Sequence, residues 1–317
     1  MNKAERIVFY SLFAVALVPL TIFDFDISSS LYDPASVFGK IFYVGGEMPF
    51  LVFGAFAVSL AYFFRPKSTK KMSLGFGALF LASAILMSIY AGSELTSSAN
   101  RLIGKPWQGI VKILLFFPFS LPFFALGFFP AFFLRKRKFD EKRICLFAFM
   151  IIFYALYILV FTNLLKVIAY RPRFRLLNSL YEGEAIKEQW RPWYAWQTFF
   201  SKSKYASALT EAGVAYSLDD FLSFPSGHTI VAVGLVAVSY FPGLEKKALP
   251  IRIVCALFAL TVGLSRIYLG DHNATDSLWG FYLGLTAIDF LFAFASPRFA
   301  SFLNKNSVYP LNGQRQD

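Results

Sequence analysis

The chain has 317 residues, 57% of them hydrophobic and 19% aromatic, with a net charge of +12 and a mean hydropathy of +0.55. A soluble globular chain is only about 45–50% apolar, and forty phenylalanines exceed what a soluble core of this length can hide, so composition excludes a soluble globular fold and indicates an integral membrane protein. The positive charge does not indicate nucleic acid as a partner: no basic helix or aromatic-basic module stands apart from the apolar segments, and basic residues that flank membrane helices and meet anionic lipid account for it.

In chain order, eight apolar segments approach or exceed the roughly 20 residues that span hydrocarbon, at about 7–24, 48–64, 72–92, 109–134, 144–166, 227–242, 250–269 and 275–296. The sixth is the shortest. Barrel strands alternate in polarity every other residue, and these runs do not. The expected fold is therefore all-α, a polytopic helical membrane bundle of about eight transmembrane helices. Met1 to Arg6 is basic, but the apolar run behind it exceeds a signal-peptide core and no small-residue cleavage site follows, so the first segment is expected to stay as a helix. Cys145 and Cys255 fall near the starts of apolar segments. They read as core residues and not as a disulfide framework or zinc site.

Loop charge alternates along the chain. Arg65, Lys67, Lys70 and Lys71 follow the second segment, and Arg135 to Lys138, Lys142 and Arg143 follow the fourth. Lys246, Lys247 and Arg252 follow the sixth, while Arg298, Lys305 and Arg315 follow the eighth. The loop after the first segment instead carries Asp24, Asp26, Asp33 and Glu47 against Lys40. The positive-inside rule then places both termini in the cytoplasm. By the same parity the loop at about 167–226 lies outside, although it mixes basic residues with acidic ones. Its aromatic residues Trp190, Trp193, Tyr194, Trp196, Phe199, Phe200 and Tyr205 suit either an interfacial belt or a lid over a lipid site.

The only two histidines sit in polar motifs that this topology brings to one membrane face. Lys166 ends the fifth segment, followed by Arg171 and Arg173. Pro225-Ser226-Gly227-His228 opens the sixth. Ser265 and Arg266 lie near the end of the seventh, and His272 and Asp276 at the start of the eighth. Lys166, Arg173 and Arg266 are cations suited to clustered phosphate charge, Arg through its bidentate fork. Ser226 and Gly227 stand at a helix N-terminus, which favours an anion. With the eighth helix starting near His272, Asp276 shares its face and is placed to hold one imidazole nitrogen, leaving the other as a nucleophile. His228 is the remaining candidate for general acid.

Lys166-(six)-Arg173, Pro225-Ser226-Gly227-His228 and Ser265-Arg266-(five)-His272-(three)-Asp276 resemble the three signature motifs of the type 2 phosphatidic acid phosphatase superfamily. The second and third match in full. In the first, Phe174 stands where the family has proline, and Arg171-Pro172 offers a rival register with a four-residue spacer. Arg173 is the preferred family arginine, with Arg171 as a second phosphate contact.

The resemblance covers about 140–296 and implies a six-helix phosphatase-like core preceded by extra N-terminal helices. That gives 1–135 as motif-free transmembrane helices, 136–300 as the phosphatase core and 301–317 as a cytoplasmic tail. It implies attack by His272 on phosphorus through a phosphohistidine, leaving-group protonation by His228, and no metal or other cofactor. It also implies a lipid phosphate substrate (a polyprenyl diphosphate, phosphatidate or phosphatidylglycerophosphate) and a bacterial plasma membrane setting. A phosphotransferase using the same phosphohistidine, or a lipid transporter on the same scaffold, remains open. Oligomeric state is not legible.

Overall fold

The computed structural model describes residues 3–66, 69–103, 110–181, 184–195, 209–211, 213 and 216–305. Every regular element among them is helical. In hydrocarbon the backbone must satisfy its hydrogen bonds internally, and a chain without polarity alternation does so by helix. In order these are α1 (Lys3–Ile22), α2 (Asp24–Leu31), α3 (Val37–Gly45), α4 (Met48–Phe63), α5 (Lys70–Ile103), α6 (Ile110–Leu134) and α7 (Glu141–Tyr157). A π-helical turn, Ile158–Thr162, leads into α8 (Asn163–Ala169), followed by α9 (Phe174–Leu180) and α10 (Glu184–Gln189). Then come α11 (Gly227–Val233), continued as a 3₁₀ stretch Gly234–Tyr240, then α12 (Ala248–Tyr268), α13 (Ala274–Asp289) with a π turn Phe290–Ala295, and α14 (Ser296–Lys305).

Seven stretches among the described residues are long and apolar enough to cross a membrane. The eighth expected segment is present as the shorter apolar helix Gly227–Tyr240. Boundaries follow local chemistry. α6 stops where Arg135 to Lys138 begin, and Asp140 caps α7 by accepting the Arg143 N–H at 3.1 Å. Ser36 caps α3, accepting from Gly39 N–H at 3.1 Å. The tail at 306–317 lies outside the described residues.

The chain divides into two compact units. One comprises Glu47–Ala155, Gly234–Val254 and Ala287–Asp317. In it α4, α5 and α6 pack mutually, burying Phe50, Val58 and Leu60 with Phe80, Ala84 and Ala91. Without a hydrophobic drive between helices in lipid, such contacts rest on van der Waals packing of small and aromatic residues. Cys145 is buried there, its thiol 3.4 Å from the Phe64 carbonyl; it and Cys255 are free thiols.

The other unit comprises Met1–Gly46, Leu156–Val233 and Cys255–Thr286, and holds all the motif residues. α11 packs on the π turn of Ile158–Thr162, and Phe13 of α1 stacks on Tyr282 of α13 with centroids 3.9 Å apart. Tyr170 ends α8 in the left-handed region at φ 42°, a conformation costing a bulky residue about 1–2 kcal/mol. Its ring is buried and stacks on Phe221 at 5.0 Å and 1°, within a cluster of Leu176, Leu177 and Leu209. That cluster holds the sharp turn between Lys166 and the arginines that follow.

Candidate active site

The third motif forms the floor. α12 ends at Tyr268, and Gly270 turns the chain with φ 64°. A Cβ there would come within 2.5 Å of Tyr32, so glycine is required for both conformation and space. Arg266, Asp271, His272 and Asp276 are each at most 1% exposed.

Asp271 gathers the cations. Its carboxylate pairs with Arg266 Nη2 at 2.6 Å, with Arg175 Nη1, and with Arg173 Nη1 at 3.6 Å. Three arginines from two separate stretches thus converge on one buried anion beside His272. The Arg266 guanidinium also lies over the Tyr43 ring at 4.5 Å, and His228 stacks on the same ring at 5.7 Å. Lys166 approaches from α8: a Cβ at Gly227 would come within 3.2 Å of its Nζ. Glycine at 227 therefore leaves room for the ammonium beside the second motif.

His272 lies outside the membrane-spanning segments, in the turn before α13. Its Nδ1 meets the Ser223 carbonyl oxygen. A carbonyl only accepts, so in the neutral ring Nδ1 carries the proton and Nε2 holds the lone pair. Burial, aided by the positive charges of Arg173, Arg266 and Lys166, holds its pKa well below the ordinary imidazole value, with Asp271 opposing. The same cations that suit an anion keep this imidazole neutral.

Three expectations about this site are corrected by the geometry. α13 begins at Ala274, not at His272, so His272 and Asp276 do not share a helical face. Asp276 is the third residue of α13 and reaches back to the Asn273 N–H at 2.8 Å, as a capping-box acid does. It also accepts from Ser223 Oγ and Arg171 Nη1, and therefore reaches His272 through Ser223 instead of holding the ring itself.

The described contacts of Arg171 do not join it to Asp271 with Arg173, Arg175 and Arg266 either. It is 3% exposed, and its donors go to Asp24 at 2.8 Å, Asp276, Thr275 Oγ1 at 3.0 Å and the Arg191 carbonyl at 2.9 Å. A buried guanidinium is stable only when its donors are met, and two carboxylates meet them here. Ser226, finally, has its N–H on the Asp276 carbonyl at 3.0 Å, while its hydroxyl accepts from Thr229 Oγ1 at 2.8 Å. These bonds secure the start of α11 and occupy the Ser226 backbone N–H.

The departure in the first motif has a physical reason. Arg173 is the extended residue before α9, which makes Phe174 its first residue, a position that suits proline but does not require it. The Phe174 ring is buried against Tyr32 at 5.3 Å and Phe25 at 6.1 Å. Arg173 donates to Asp219 at 2.6 Å and to the Asp271 carbonyl at 3.1 Å, which puts Arg173, and not Arg171, beside Arg266.

Sequence reasoning missed Asp24, Tyr43 and Arg175, because the first two precede every motif and the third reads as an interfacial arginine. Of the loop aromatics, Trp190 donates to Asn273 Oδ1 at 3.3 Å, and Trp193 donates to Thr21 and stacks on Phe224 at 6.1 Å. Tyr194 is exposed, and Trp196, Phe199, Phe200 and Tyr205 lie outside the described residues.

Residues 147–300 match the model of the PAP2 superfamily. Phosphatidylglycerophosphatase B of Bacillus subtilis (strain 168) is 42% identical over 69 residues, which are 20% of this chain and 34% of that protein. The chain thus spans about a third of the length of this curated relative. No solved structure matches. All three motifs fall inside the matched region, and the two similarities together support a type 2 phosphatidic acid phosphatase family for residues 147–300.

Proposed function

We propose that the chain is an integral membrane lipid phosphatase that hydrolyses a phosphate monoester or diphosphate through a phosphohistidine. The observation that carries the reading is the convergence of Lys166, Arg173 and Arg266 near a buried His272 whose Nδ1 meets the Ser223 carbonyl, an arrangement that leaves Nε2 for phosphorus. Nε2 attacks phosphorus as the P–O bond to the lipid breaks. His228 gives its proton to the departing oxygen, and water then breaks the P–N bond and returns the proton. Lys166, Arg173 and Arg266 neutralise charge on the transferring phosphoryl group. Gly227 admits Lys166, while Ser226 and Asp276 hold the two turns. The family resemblance supports a metal-independent reaction.

The domain reading is part of this proposal: 136–300 carries the catalysis, with additions from the N-terminal helices. Phosphatidylglycerophosphate is the first substrate to try, given the name of the Bacillus subtilis relative; polyprenyl diphosphate and phosphatidate follow. The loop charges support an extracytoplasmic site, with both termini cytoplasmic in a bacterial plasma membrane.

The test is phosphate release by the purified protein in detergent with EDTA present, across these three lipids and glucose 6-phosphate, with glycerol as an added acceptor. The reading expects lipid-dependent release that falls about 1,000-fold or more in His272→Ala, since losing a nucleophile removes most of the chemistry. Release that survives the substitution, or phosphate appearing mainly on the acceptor, contradicts it.

A further inference from the structure

Asp24 precedes every motif and lies outside the matched region, yet it is 0% exposed in the unit that holds the site. It opens α2, and its described side-chain bonds run to Thr275 in the first turn of α13 and to Arg171. Its Oδ1 accepts the Thr275 N–H at 2.9 Å, and its Oδ2 takes the Thr275 hydroxyl and Arg171 Nη2 at 2.8 Å. Four residues on, Ser28 Oγ accepts the Ala274 N–H at 3.4 Å, so one face of α2 follows the first turn of α13.

From Arg171 the contacts continue without a gap. Arg171 Nη1 binds Asp276, Asp276 accepts the Ser223 hydroxyl, and the Ser223 carbonyl receives His272 Nδ1–H. The Arg171 carbonyl also accepts the Ser223 N–H at 3.0 Å. Every link is buried, where such bonds are strong if complete and costly if broken.

We propose that Asp24 is a positioning residue for His272, fixing the imidazole through Arg171, Asp276 and Ser223, so that the segment ahead of the phosphatase core completes its nucleophile. For catalysis this rests on the phosphatase reading; for geometry it does not. A sub-ångström error in a nucleophile's placement lowers turnover and leaves binding largely intact, because the phosphate cations Lys166, Arg173 and Arg266 are not on this path. Misplacement by about 1 Å costs up to about 100-fold.

The test uses full-length protein in detergent, as wild type, Asp24→Ala, Asp24→Asn and a packing control, Phe25→Leu. Phe25 sits next in α2 and touches Phe174 and Trp190 but no charged link of the path. Asp24→Ala is expected to lower kcat about 100-fold with KM within about threefold. Asp24→Asn keeps an oxygen for Thr275 and loses the ion pair, so it falls between; Phe25→Leu loses stability but keeps kcat within about threefold of wild type.

The second readout needs no activity. With two histidines in the chain, imidazole NMR signals can be assigned using His228→Gln, and Asp24→Ala is expected to shift the His272 signals more than those of His228. Unchanged His272 signals overturn the proposal, as does kcat within threefold of wild type. If Asp24→Ala does not fold, Asp24→Asn is judged by the same two criteria. If wild type releases no phosphate from any lipid, the phosphatase reading falls and the imidazole signals alone decide the role of Asp24.

Discussion

In α5, within the unit built on α4, α5 and α6, two buried hydroxyls are served locally. Ser88 donates to the Ala84 carbonyl and Thr96 to the Gly92 carbonyl, each one turn back in its own helix. In the unit that holds the motifs, buried polar groups bond across the sequence. Asp24 reaches Thr275, Arg171 reaches Asp276, and His272 reaches Ser223. The first arrangement costs little and specifies little beyond a helix. The second buries charges whose desolvation is tolerable only while every partner is present. It fixes several side chains at once, which is what a reaction centre needs.

That contrast can be broken at single residues. The largest stability effect is expected at Arg171. Arg171→Ala leaves the carboxylates of Asp24 and Asp276 buried with no cation between them, at about 3–5 kcal/mol. Denaturant unfolding of the purified protein measures it, and a loss under about 1 kcal/mol would mean the carboxylates find water or another partner. In the other unit, Phe80→Ala removes a fully buried ring. Its loss should be smaller than the roughly 3–5 kcal/mol of a soluble core, since lipid is as apolar as the packed interior. Its kcat per folded molecule should match wild type, and a large fall in kcat would show that the two kinds of packing are not separable.

The pH dependence sharpens the same comparison. The fold favours neutral His272, with a pKa depressed by burial and by Arg173, Arg266 and Lys166. Its contribution is fully present above the unfolded value of about 6.5 and is lost as pH falls through the folded value. His272→Gln should therefore show a shallower loss of stability below about pH 6.5 than wild type; parallel curves would deny that the ring is held neutral. The smallest effect is expected at the exposed pair of Arg143 and Glu245. Arg143→Ala should change stability by less than about 1 kcal/mol, and a larger change would make that surface more than a solvated rim.

What was legible in the sequence divides along the same line. Helices α4 to α7 and α12 follow from apolar run length and flanking charge, because in lipid the backbone has few alternatives. The three motifs, read with the topology, led to the expectation that Lys166, Arg173, Arg266, His228 and His272 lie near one another, and in the structure Arg173 and Arg266 share Asp271 while Lys166 lies beside Gly227. The partners of Asp276 and Arg171 were not legible. Whether Asp276 faces His272 or caps α13 depends on where that helix starts, and the two-residue difference between His272 and Ala274 decides it. Asp24 carried no signal, since an acidic residue after an apolar helix reads as loop charge until the fold sets it against Arg171.

The most direct test of the central claim, that the buried polar network presents His272 as a nucleophile, is trapping of the phosphorylated protein. Enzyme carrying His228→Ala, which on the proposed mechanism is slowed in leaving-group protonation and in activation of water, is mixed with the best lipid phosphate, quenched in alkali and mapped by mass spectrometry. The account predicts phosphate on His272 and none in the His272→Ala double variant. Phosphate on another residue, or none while turnover continues, would contradict it.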